Sequence, residues 1–136
     1  MWAVVGVLGL LGLFFVTMPL APRRHLALSR KRRAIGEGEF VTMMAFAGVS
    51  GTTAKFLWKE LKAFYHAPLK PLPHDRLESL IVIDRPEIEG IVVRFWSSMR
   101  GDDARPSTAP IGPDPTVAEL GRHCDLLAGW SIRGTA

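Results

Sequence analysis

The first 22 residues, Met1 to Pro22, contain no charged side chain, and the eleven that follow, RRHLALSRKRR, hold six Lys or Arg and no acid. That pattern leaves a chain few fates. A helix crossing the hydrocarbon core takes about 20 apolar residues at 1.5 Å each. Trp2 to Leu20 meets that length, and Trp2 suits the membrane–water boundary. A cleaved signal peptide places its basic residues before a shorter apolar stretch, whereas here all the charge follows. The sequence therefore predicts a retained transmembrane anchor over residues 1–22 and a basic juxtamembrane linker over 23–36. A small helical domain follows over 37–130, with a tail over 131–136. Basic residues stay on the cytoplasmic side. The expected location is the bacterial inner membrane, single-pass, with the N-terminus out and the domain in the cytoplasm. Arg23, Arg24, Arg30, Lys31, Arg32 and Arg33 would lie against anionic lipid headgroups, at about 1 kcal/mol per basic residue.

The net charge of +4 invites a nucleic-acid reading, but the excess is local. Beyond residue 33, 103 residues carry 11 basic and 13 acidic side chains. A segment of that size forms one domain with a modest core. The lone cysteine, Cys124, excludes an internal disulfide and fits a reducing compartment.

Hydrophobic spacing predicts an all-α domain. In residues 38–47, Phe40, Met43, Met44 and Ala47 follow the i, i+3, i+4, i+7 rule. After Gly48-Val49-Ser50-Gly51, Ser50 or Thr52 can cap a second helix over 53–66. Its stripe is Ala54, Leu57, Trp58, Leu61, Phe64 and Tyr65. Pro68, Pro71 and Pro73 then exclude a helix. Leu77–Ile83 reads as a loop that drops Leu77, Leu80 and Ile83 into the core. Asp84-Arg85-Pro86-Glu87 is a helix start, with Asp84 as N-cap and Pro86 in the first turn. The stripe Ile88, Ile91, Val92, Phe95, Trp96 and Met99 follows. Residues 101–115 form a long surface loop. Thr116-Val117-Ala118-Glu119 is a capping box for a last helix to about residue 128.

From 53 to 128 the pattern resembles the acyl carrier protein family. Members have a first helix, a long loop, a second helix opened by Asp-Ser-Leu and a last helix opened by a Thr-Val-x-Asp/Glu-Leu run. The matching stretches here are 53–66, 67–83, Asp84-Arg85-Pro86-Glu87-Ile88 and Thr116-Val117-Ala118-Glu119-Leu120. The resemblance implies a small four-helix, carrier-like domain. It also implies a departure. In carrier proteins the serine after that Asp bears the phosphopantetheine arm, and here the position is Arg85, which has no hydroxyl. The expected domain keeps a carrier-like docking surface without carrier chemistry.

No other chemistry stands out. His25, His66, His74 and His123 have no zinc-type spacing with other ligands. Ser50 lacks the second glycine of a nucleophile elbow and reads as a cap. No catalytic residue, metal, cofactor or small-molecule substrate is expected. The chain reads as a non-catalytic, membrane-anchored accessory subunit whose partners are membrane lipids and a larger membrane protein. Glu87, Glu89, Trp96 and Trp58 are the candidate partner-binding residues. The alternative is a membrane-tethered helix–turn–helix regulator, since helices 38–47 and 53–66 have those proportions. Its recognition helix would present Thr52, Thr53, Lys55, Lys59 and Lys62. Against it, specific DNA binding rests on many phosphate contacts and the domain is slightly acidic, so no nucleic acid is expected.

Overall fold

Helix boundaries follow the cap residues that the chain supplies. The computed structural model describes residues 20–100 and 110–129. It contains α1 (Leu20–Ser29), α2 (Glu37–Phe46), α3 (Gly51–Leu61) running into a 3-10 turn (Lys62–Phe64), α4 (Arg85–Arg100) and α5 (Val117–Leu127). Ser50 caps α3 by accepting from the Thr53 amide. Asp84 Oδ1 accepts from the Glu87 amide at 3.1 Å, at the start of α4. The capping box of Thr116 and Glu119 is present at α5. Gly48 follows α2 at φ +83°, a left-handed conformation that stops a helix and suits glycine.

α3 packs on α2 and α5, and α5 also touches α4. Phe40, Met44, Leu57, Leu61, Leu77, Ile81, Ile83, Ile88, Ile91, Phe95 and Leu120 are fully buried between them. Each such side chain contributes about 1.5–3 kcal/mol on burial. Aromatic pairs join the helices: Phe40 lies 5.2 Å from Trp58, and Phe56 lies 5.2 Å from Phe95 in an edge-on contact. Residues 65–84 form no helix but are well tied. Val117 N–H donates to Asp75 O and Ala118 N–H to Pro73 O, each at 3.0 Å. The proline-rich loop thus takes up amides at the α5 N-terminus that have no partner within the helix. The loop delivers Leu77, Ile81 and Ile83 to the core, while Leu80 is half-buried. No strand occurs among the described residues, only an isolated bridge between Arg76 and Thr116.

The all-α expectation is met, but the membrane expectation is corrected. Among the described residues, no helix is long and apolar enough to cross a membrane. Residues 1–19 of the expected anchor lie outside the described residues. Its last residues, 20–22, belong to α1, which continues without a break through Arg23 and Arg24 to Ser29. The transmembrane helix and the single-pass inner-membrane location are therefore not supported. Part of the basic segment is docked on the domain instead. His25 and Ile35 are buried against the domain, and Arg32 is largely so. Trp130 and the tail, with residues 101–109 of the expected surface loop, also lie outside the described residues.

Candidate functional site

Polar side chains concentrate where the basic segment meets the proline-rich loop. Asp75, 4% exposed, is the hub. Arg32 donates through Nη1 to Oδ1 at 2.8 Å and through Nη2 to Oδ2 at 3.1 Å. The Tyr65 hydroxyl donates to Oδ2 at 2.5 Å, and the Leu72 amide donates to it at 3.0 Å. The carboxylate accepts four hydrogen bonds, one on Oδ1 and three on Oδ2. Arg32 Nη2 also donates to Lys70 O at 2.5 Å. Burial, then the nearby Asp75 charge, pushes the Tyr65 hydroxyl far up, so it stays protonated and keeps donating.

His25 extends the junction. Its ring is fully buried. Nε2 lies 2.9 Å from Ile81 O, a group that can only accept, so Nε2 carries the proton. Nδ1 accepts from the His66 amide at 3.0 Å. The ring also stacks at a tilt on His66 and Tyr65, with centroids 4.9 and 5.7 Å away. Burial holds the imidazole below its usual pKa of 6.5. Beside the junction, a cavity of about 120 Å³ is lined by Ser29, Arg32, Arg33, Ala34, Pro68, Leu69 and Lys70. Both guanidinium groups there have protein partners, Arg32 on Asp75 and Arg33 on Glu39. The junction's donors and acceptors are spent on the protein itself, which suits fastening rather than proton transfer.

A second buried carboxylate joins α5 to α3. Asp125 accepts from the Ser50 amide at 2.8 Å, the Ser50 hydroxyl at 2.7 Å and the Thr53 hydroxyl at 2.5 Å. Ser50 is thus a cap held by an aspartate, as its sequence context suggested. Cys124 is buried, which pushes its thiol up to about 12, too high for a reactive thiolate at neutral pH. Among the described residues, no group of three or more His, Cys, Asp or Glu is placed to hold a metal.

The position that the carrier resemblance would assign to the arm is built differently from what an arm requires. Arg85, in the first turn of α4, donates through Nη1 to Ile111 O at 3.0 Å and through Nη2 to Gly112 O at 2.9 Å. It also pairs with Glu78 at 3.1 Å. Asp114 (φ +43°) completes the clasp. It accepts from the Glu78 and Ser79 amides and from the Ser79 hydroxyl. The Ser79 hydroxyl is the main reason its carboxyl sits below the ordinary range. A phosphopantetheine arm attaches through a serine hydroxyl. The side chain at this position is a guanidinium committed to loop carbonyls, so these residues do not fit that group.

The sequence-predicted residues separate in space. Glu87 is exposed, while Glu89 and Trp96 are half-buried on the same helix. Trp58 is 7% exposed on Phe40 and is a core residue, so it drops out of the docking set. Arg30 and Lys31 are exposed. Arg32 and Arg33 have partners, and the side chains of Arg23 and Arg24 lie outside the described residues. Sequence reasoning missed Asp75, Asp125, Tyr65 and the role of His25. The only available signal for the last was a histidine within an otherwise Leu/Ala stretch of a basic run. Comparison with known proteins adds nothing further: no family model, no curated protein and no solved structure matches this chain.

Proposed function

We propose that the chain is a non-catalytic interaction domain, carrier-like in its helices, that serves as an accessory subunit by docking a partner on α4. The observation that supports this reading is the Arg85 clasp. The first turn of the helix that bears the arm in carrier proteins is used instead to fasten residues 110–114. What α4 offers a partner is Glu87, exposed in its first turn, and Met99, 37% exposed near its end.

Two measurements test it. The full chain, treated with coenzyme A and a phosphopantetheinyl transferase, gains no mass by intact mass spectrometry; a gain of one arm overturns the reading. In quantitative affinity capture, a partner retained by the wild-type chain is lost from Glu87→Lys, whose circular dichroism and melting are unchanged. The reading also fails if the chain runs alone at monomer size, or if it binds duplex DNA with a steep salt dependence. The second result would favour the exposed Thr52, Lys55, Lys59 and Lys62 of α3.

A further inference from the structure

Helix α1 is held to the domain by a histidine. In residues 25–29, only His25 is fully buried; Leu26 and Ala27 are exposed, and Leu28 and Ser29 are half-buried. Among these five residues, apolar packing against the core is limited to Leu28. Their buried polar tie to the domain is one imidazole with a carbonyl on one nitrogen and an amide on the other, Ile81 O at 2.9 Å and His66 N at 3.0 Å. That pair of partners accepts only the neutral ring protonated on Nε2. A proton added at Nδ1 would place N–H against N–H and cost the His66 bond.

We propose that His25 is a proton-operated latch: protonating its ring releases α1 from the domain, while the following segment stays attached through Arg32 and Ile35.

The charged and titratable groups around the ring come from three places. Arg32, from the segment after α1, and His66, from the turn after the 3-10 helix, both oppose a positive charge on His25. Asp75, from the proline-rich loop, favours one, but four donors already occupy its oxygens. Tyr65 faces the ring as a neutral phenol. Burial is the largest effect and disfavours the imidazolium. The sign follows from linkage. A folded-state pKa below 6.5 means that docking of α1 is at full strength above 6.5 and is lost as pH falls through the folded value. Arg32 keeps its tie to Asp75 throughout, so the chain turns in the 30–36 segment and the domain stays folded. The freed helix carries Arg23 and Arg24.

Hydrogen exchange on the full chain from about pH 7.5 to about pH 5, across the histidine range and corrected for intrinsic rates, tests this. The expected result is loss of α1 amide protection, by up to about tenfold per pH unit between 6.5 and the lower docked-state value, as one proton allows. Protection of α4 stays constant as the internal control. His25→Gln, whose carboxamide nitrogen still donates to Ile81 O, keeps α1 protected at all pH values. His66→Ala retains the backbone amide and keeps the pH dependence. Flat α1 protection in the wild type overturns the proposal. So does an equal acid loss in His25→Gln, or a switch abolished in His66→Ala. Nitrogen-15 NMR decides even if His25→Gln fails to dock. The His25 titration midpoint must coincide with the loss of α1 protection, and Nε2 must carry the proton at neutral pH.

Discussion

Asp75 and Asp125 are both buried aspartates, 4% and 6% exposed, yet they are satisfied by opposite means. Asp125 takes two hydroxyls and one amide from Ser50 and Thr53, all neutral, inside the packed contact of α3 and α5. Asp75 takes a guanidinium from a segment 43 residues earlier in the chain, together with Tyr65 and its own loop. The first carboxylate locks helices that an apolar core already brings together. The second ties the basic segment to the proline-rich loop, two stretches that form no common helix packing. Charge is used where the fastening joins irregular segments rather than packed helices.

Removing one partner of a buried ion pair strands the other and costs about 3–5 kcal/mol. Asp75→Ala should therefore be the most destabilising change considered, read as a shift in the urea midpoint. It also strands Tyr65 and the Leu72 amide. Asp125→Ala leaves only neutral donors unpartnered. An unsatisfied buried donor costs about 1–3 kcal/mol, and the two hydroxyls can rotate, so the loss should be near 2 kcal/mol. Equal losses, or the reverse order, would break the contrast between charged and neutral fastening.

This contrast marks what the sequence could and could not show. The helices were legible because their signals are local. The capping box of Thr116 and Glu119 spans four residues, and the Asp84–Glu87 pair does the same at α4. The loop assignment of Leu77–Ile83 also holds, since no strand occurs among the described residues to pair with it. The fastenings were not legible. Asp125 meets Ser50 across 75 positions, Arg32 meets Asp75 across 43 and His25 meets Ile81 across 56. No periodicity encodes such pairs. The basic run misled for the same reason. Six cations within eleven residues read as one electrostatic feature, whereas the fold gives Arg32 a buried carboxylate and Arg33 an exposed one.

A sharper test of the Asp125 side of the comparison is the glycine four positions before it. Gly121 is buried on α5 against Met44 of α2 and Val49 of the turn after it. An added Cβ would lie 2.8 Å from both Val49 methyls and 3.0 Å from the Met44 terminal methyl. Alanine favours a helix over glycine by about 1 kcal/mol, but overpacking a filled contact costs about 1–3 kcal/mol. Val49 is β-branched and cannot swing both methyls aside. Gly121→Ala should therefore lower stability by about 1 kcal/mol, whereas an exposed helix site would gain. A stabilised variant would mean that the α2–α5 contact is looser than the Asp125 lock implies.

The smallest effect is the most discriminating for the basic run, because it compares neighbours. Arg33 pairs with Glu39 at 2.5 Å, but the two side chains are 76% and 49% exposed. Exposed pairs contribute about 0–1 kcal/mol because water and salt screen them. Arg32, one residue earlier, is 15% exposed and bonded to a buried carboxylate. Arg33→Ala should leave the urea midpoint within about 0.5 kcal/mol of wild type. Arg32→Ala should lose several times that, since it leaves Asp75 without its cation. If the two variants proved equal, the run would act as a uniform cloud of charge, as its sequence alone suggests. A large difference ties one arginine to the fold and leaves the other at the surface.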